Sequence, residues 1–233
     1  MSATARPERS IERSDPADAP SHERGRPSAA LAAAATAARS ADEPFRPQPL
    51  TRDAEVRAAL AAGPAHFAAA AGVYVLTEKG FELERPSQNG FHCLVQRSHP
   101  GAFEPQCFDE EGSRTLLREV LLRGELQAQG GRPSEIAREV AAAYADGRLR
   151  APSRPGINYM LSPENRVPID DEGSEIIPYR PHLMFYVPYL TNADLGSDGA
   201  PGAPVFVVGE GTPGAYAIVP VPLGEGAGHG DGH

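Results

Sequence analysis

The stretch from Gly90 to Gly112, GFHCLVQRSHPGAFEPQCFDEEG, holds both cysteines of the chain and two of its seven histidines. Three chemistries fit those residue types. Zinc would draw on Cys93, Cys107, His92 and His99, but structural zinc wants closely paired ligands so that one turn can aim two donors at the ion. Here the cysteines stand fourteen apart. His92 and Cys93 are neighbours, and on a strand they point to opposite faces. A thiol nucleophile with a histidine base is assembled in space, so spacing leaves it open. Against it, the apolar surroundings of Cys93, between Phe91 and Leu94, raise a thiol pKa and blunt its attack. The favoured reading is a Cys93–Cys107 disulfide. It closes a loop containing Pro100 and Pro105, worth roughly 3 kcal/mol for about 15 residues in the chain-entropy picture. Two cysteines and no others suit a periplasmic or secreted protein. The acids of Asp109 to Gly112 lack the ligand spacing of a calcium loop and complement a helix dipole instead. No metal and no cofactor is expected.

A second candidate is Arg180 to Ser197, RPHLMFYVPYLTNADLGS. Extended, it puts His182, Met184 and Tyr186 on one face and Leu183, Phe185 and Val187 on the other, one face being core and the other a site. The segment NYMLSPENR can add Tyr159 or Ser162, and the turn TNADLG can add Asn192 and Asp194. Tyr159, His182, Tyr186 and Asn192 form the expected ligand-binding set. An alternative is a hydrolase with His182 as general base beside Ser162 or Asp194. A buried, satisfied histidine and an Asx turn at Asn192 and Asp194 explain the same residues without function. Neither G-x-S-x-G nor H-E-x-x-H occurs. Gly209, Gly211 and Gly214 spell G-x-G-x-x-G, but a strand pattern follows where a dinucleotide site needs a helix, so a glycine hairpin is expected.

These residues need a scaffold. The chain has 233 residues, 40% of them hydrophobic, and a formal charge of −9. The first fifty residues carry seven charges of each sign, so the entire deficit falls on the remainder. An acidic body repels phosphate backbones and anionic lipids. No run of basic residues offsets it, and Lys79 is the only lysine, so no nucleic-acid partner is expected. No stretch approaches the roughly 20 apolar residues of a transmembrane helix.

Residues 1–50 are rich in Pro, Ser, Ala and Arg and read as disordered, with a weak leader-like stretch over 28–44. Residues 51–223 read as one globular domain, and 224–233 as a Gly/His tail in which His229 and His233 bind no metal of consequence. A short helix starts at Thr51 and stops at Gly63. Two or three antiparallel strands follow, with turns at Lys79-Gly80 and Asn89-Gly90. Ser113 is positioned to cap a helix whose Leu116, Leu117, Val120 and Leu121 share a face. Gln129-Gly130-Gly131 joins it to a second helix that starts near Pro133, places Ile136, Val140 and Tyr144 on one side, and ends at Gly147. The strand patterns INYMLS, PHLMFYVPYL, APVFVV and AYAIVPV complete the chain, and the 163–179 connection is expected to be a hairpin turning at Glu172-Gly173. Strands, helices, then strands make an α+β domain: a mostly antiparallel sheet with a helical hairpin packed on it.

The blocks NGFHCLV, EPQCFDEEGS, RPGINYMLS and PHLMFYVPYLTNADLG, in this order, resemble a family of bacterial proteins, many of them exported, over roughly residues 54–222. The family has no assigned activity, so the resemblance implies no catalytic residue. It implies export and supports the Cys93–Cys107 pair. The expectation is a non-catalytic domain, periplasmic or secreted with a cytoplasmic location as the alternative, that binds a small molecule or a protein at the His182 and Tyr186 face.

Overall fold

The computed structural model describes residues 42–170, 173–200 and 203–221. The first helix, α1, spans Arg52–Leu60, and a single turn, α2, spans Ala65–Ala68. Four strands follow: β1 (Gly72–Thr77), β2 (Gly80–Arg85), β3 (His92–Gln96) and β4 (Glu104–Phe108). Three helices come next: α3 (Glu110–Arg114), α4 (Leu116–Ala128) and α5 (Pro133–Ala145). The remaining strands are β5 (Ile157–Met160), β6 (Arg166–Pro168), β7 (Ile176–Pro178), β8 (His182–Tyr186), β9 (Phe206–Val208) and β10 (Tyr216–Pro220). Eight strands form one sheet in the order β2-β1-β3-β4-β5-β8-β10-β9, and β6 and β7 form a separate hairpin. The class is α+β, as expected, and all but one of the sheet pairings are antiparallel.

The exception corrects the reading of Asn89-Gly90 as a hairpin turn. After Pro86 the chain leaves β2 and crosses to the far side of β1, where β3 pairs in parallel through Gly72 with His92 and Val73 with Cys93. Gly72 N–H donates to the Phe91 carbonyl and Gln88 N–H to that of Ala70, so these backbone groups are satisfied without a β2–β3 ladder.

Strand alternation sends the buried side chains to two cores. On one face Val73, Val75, Cys93, Val95 and Cys107 meet Ala59 and Ala62 at the end of α1, with Phe67 of α2 against them. On the other, Leu94, Phe108 and Tyr186 meet Leu116, Leu117 and Val120 of α4. Each fully buried leucine of this set contributes about 1.5–3 kcal/mol. The β6–β7 hairpin covers the rest of that face, laying Val167 and Tyr179 on Met160, Met184 and Ile218. Its turn is where expected, with Gly173 at φ 66, while Glu172 lies outside the described residues. Buried Glu55 of α1 and Arg97 form an ion pair at 2.7 Å, joined by the Leu50 N–H at 2.8 Å.

Asp109, not Ser113, caps the helical region. Its carboxylate accepts from Gly112 N–H at 2.8 Å, from Ile157 N–H at 3.0 Å and from the Tyr186 hydroxyl at 3.1 Å. Ser113 lies inside α3, and its hydroxyl donates to the carbonyls of Gly90 and Phe108. The helix therefore opens four residues earlier than the serine suggests, and Thr115 breaks it into α3 and α4. The helical hairpin is as expected: α5 begins at Pro133, the Glu135 carboxylate reaches back to Arg132 N–H at 3.0 Å, and α5 buries Ile136, Val140 and Ala143 against α4. Residues 42–50, expected to be part of the disordered segment, carry no helix or strand but are tied to this hairpin by two hydrogen bonds. The Asp42 carboxylate accepts from Ser134 N–H at 2.9 Å, and Arg46 donates to the Gln129 carbonyl at 3.4 Å. The leader-like stretch up to residue 41 and the Gly/His tail with His229 and His233 lie outside the described residues, as does Ser28.

Candidate functional site

The cysteines occupy directly paired positions of the β3–β4 hairpin, and their Sγ atoms are 2.00 Å apart. Both side chains are fully buried beneath α1. Neither thiol is available as a nucleophile or ligand in this state. His92 points to the other face, as expected for a neighbour on a strand, with Nδ1 3.1 Å from the Ser113 hydroxyl. Burial pushes the His92 pKa down. Among the described residues no group of three His, Cys, Asp or Glu side chains is placed to hold a metal ion.

The residues expected to bind a ligand do not share an open face. His182 and Tyr186 are 3% and 5% exposed, so the face chosen as a site is core. Val167 of β6 and Tyr179, just past β7, roof the His182 end, and the α4 leucines cover Tyr186; a sequence pattern cannot tell a solvated face from one covered by distant segments. His182 Nδ1–H donates to the Arg180 carbonyl at 2.9 Å, and the ring meets Tyr179 edge-on at 5.0 Å. Burial lowers its pKa. The Tyr186 hydroxyl donates to the Ile157 carbonyl at 2.7 Å, and burial first, then Tyr216 and Asp109, pushes its pKa up. Tyr159 pairs across the sheet with Leu183 and so stands on the opposite face from His182, its ring 5.3 Å from Phe67.

The remaining candidates have local structural tasks. Ser162 is fully buried, and its hydroxyl accepts from Glu164 N–H at 3.2 Å. The Asp194 carboxylate accepts from both the N–H and the hydroxyl of Thr191 at 2.8 Å, which lowers its pKa. Asn192 does not close an Asx turn with its own neighbours. Its amide bonds across to the backbone of Val207, accepting at 2.7 Å and donating at 3.1 Å, and so fixes the edge strand β9. Among the described residues no hydrogen bond joins His182 to Ser162 or Asp194, and the first two are buried. These three side chains are thus each engaged with local partners rather than with one another. The G-x-G-x-x-G run is the β9–β10 hairpin connection, with Gly209 at φ 65 and Gly211 at φ 69.

A cleft opens elsewhere, between the β1–β2 turn and the α4–α5 hairpin, with a volume of about 1020 Å³. Its apolar lining is Phe81 of β2, Leu121, Leu122 and Ala128 of α4, and Ala143 and Leu149 at the end of α5. Close backbone approach builds it. Gly80 closes the β1–β2 turn at φ 104, and a Cβ there would stand 3.1 Å from the backbone of Glu125, so the turn presses on α4. Gly124 similarly admits the Phe81 ring, which a Cβ would meet at 2.6 Å. At the far wall Gly147 takes φ 81 beyond the end of α5, and Leu149 N–H returns to the Ala143 carbonyl at 2.8 Å. Leu149 is thereby tucked inward, while the arginines on either side of it stay exposed.

Five cations line this cleft, Lys79, Arg114, Arg118, Arg148 and Arg150, against two carboxylates, Glu78 and Glu125. Two of the cations are occupied: Arg114 pairs with Glu110 and Glu111, and Arg148 with Glu139 and Asp146. Lys79, Arg118 and Arg150 are in no ion pair among the described residues. The absence of a basic run in the sequence thus concealed a basic site. The three unpaired cations come from places more than thirty residues apart, a turn, a helix and a helix exit. The available signal was faint: the only lysine at a predicted turn, and alternation of arginine and leucine after a glycine stop. Compared with known protein families, curated proteins and solved structures, the chain matches none.

Proposed function

We propose that this chain is a non-catalytic, exported domain that binds a small molecule, and that it does so in the cleft between the β1–β2 turn and the α4–α5 hairpin. The observation that carries the reading is that cleft. Its volume is of the size that encloses small ligands, and it combines an apolar floor with charged groups at the rim, the composition that such sites share. The His182 face, by contrast, is filled by the protein's own side chains. Export draws support from the Cys93–Cys107 pair, a bond that persists in oxidising compartments, and from the family resemblance.

The test is a fragment screen of the full chain by amide chemical-shift perturbation, using neutral, acidic and basic aromatic fragments. Shifts clustered at Phe81, Leu121, Ala128 and Leu149 are expected. Shifts confined to other regions, or none with any fragment, overturn the assignment.

A further inference from the structure

We infer that α1 is a lid over the Cys93–Cys107 bond, and that a dithiol reductant reaches the sulfurs when α1 alone lifts, the rest of the domain staying folded. The inference stands apart from the cleft, which lies against α4 on the other face of the sheet. The bond joins β3 to β4, and those strands are flanked in turn by β1 and β5. Reaching the sulfurs edgewise therefore means dismantling the centre of the sheet. From above they are covered by the end of α1 and by α2, through Ala59, Ala62 and Phe67. The Ala59 carbonyl oxygen is 3.5 Å from the Cys107 Sγ, and a Cβ on Gly63 would stand 3.1 Å from the same atom. Both cysteines are 0% exposed, so no reagent touches them while the lid is down.

α1 is held less firmly than the sheet it covers. Its fully buried apolar contacts are alanines, Ala59 and, just past its end, Ala62, while Val56 and Leu60 are only partly buried. An alanine hides little apolar area, and the stabilisation from burial scales with area. Among the described residues the polar hold is the Leu161 N–H to the Ala62 carbonyl at 3.0 Å, an exposed Arg52 pair with Glu84, and the buried Glu55–Arg97 pair. Lifting α1 returns both charges of the buried pair to water, which offsets part of the lost attraction. Release of one nine-residue helix is a local opening, and local openings cost less than unfolding the whole domain.

Once the lid is up, one thiolate of the dithiol attacks a protein sulfur. The Cys93–Cys107 bond breaks as a mixed disulfide forms, and the displaced thiolate takes a proton from water. The second thiolate of the reagent then displaces the protein sulfur, which is protonated in turn. The dithiol leaves as its cyclic disulfide, oxidised by two electrons, and both cysteines end as thiols.

The test follows reduction of the full chain by dithiothreitol under native conditions, with acid quenching, alkylation and mass spectrometry. Two exposed helix positions receive glycine, which weakens a helix without removing a packed side chain: Arg57→Gly in α1 and Ala142→Gly in α5. Melting curves verify that both variants fold. Arg57→Gly should speed reduction about three- to fivefold, and Ala142→Gly less than 1.5-fold. In the wild type the reduction rate should rise with urea less than half as steeply as global unfolding does, since lifting α1 exposes little surface. Equal acceleration by both variants, or a urea dependence as steep as global unfolding, overturns the inference, because the bond is then reached only through the unfolded chain. Acceleration by neither variant shows that α1 is not the element that moves, and overturns it as well.

Discussion

Glu104 is the side chain whose ionisation works against the fold. Burial pushes its pKa from 4.5 up to about 7, and a hydrogen bond accepted from Ser98 N–H at 2.9 Å only partly opposes this. Below pH 4.5 the carboxyl is neutral in folded and unfolded chains alike. Between pH 4.5 and about 7 the unfolded chain releases the proton and the folded one retains it, so this group's contribution to stability falls as pH rises. Above about 7 the penalty is constant. Glu104→Gln keeps an acceptor for Ser98 and removes the charge. It should flatten the pH 4–8 slope and stabilise the protein at pH 8 by on the order of 1–3 kcal/mol, with no gain at pH 4. Thermal melts across that range check it, and an unchanged slope would rule out Glu104 as its source. Among single residues, the cysteine pair was readable because strand spacing, an intervening loop and the lack of other cysteines converge on one answer. His182 and Tyr186 were not, because the side chains that bury them come from distant segments, Tyr179 after β7 for His182 and the α4 leucines for Tyr186, whose docking no local pattern records. Asp109 was read only as a dipole partner, although it caps α3 and also holds Tyr186 and Ile157.

Periodicity and end signals located the α4–α5 hairpin because they are short-range: a proline and a reaching glutamate open α5, and a left-handed glycine closes it. The parallel placement of β3 was not legible. A turn dipeptide specifies a reversal of the chain, and only the tertiary fit of β3 beside β1 decides which strand it then joins. The β1–β2 turn gives the sharpest test at this scale. Gly80→Ala imposes a left-handed conformation on a residue with a Cβ and drives that Cβ toward the Glu125 backbone. The expected loss is about 1–3 kcal/mol. Gly196→Ala is the reference, since Gly196 has φ 65 and nothing within 4 Å of its virtual Cβ. Gly80→Ala should exceed it in denaturant melts, and equal losses would show that the turn is not pressed against α4.

For the whole molecule, the α+β class and the helical hairpin followed from the order of patterns, whereas the basic cleft did not, since it exists only once three distant segments are brought together. The Cys93–Cys107 bond links adjacent strands in the centre of this assembly. Reducing it should cost roughly 3 kcal/mol, a melting temperature lower by about 6–12 °C for a domain of this size. An unchanged melting curve in dithiothreitol would remove the bond from the account of stability. Maleimide labelling of the denatured chain, taken from cells with thiols trapped, is expected to find no free thiol if the protein matures in an oxidising compartment. Full labelling would place it in a reducing one.

The outermost strands of the eight-stranded sheet carry a further consequence for behaviour at high concentration. β2 presents Glu82 and Glu84 along one margin, and β9 offers only three residues on the other, preceded by Pro204 and tied down by Asn192. A growing stack of sheets needs a long, uncharged rim to template the next chain. Among the described residues neither edge of this sheet supplies one, so edge-to-edge polymerisation through β2 or β9 is disfavoured.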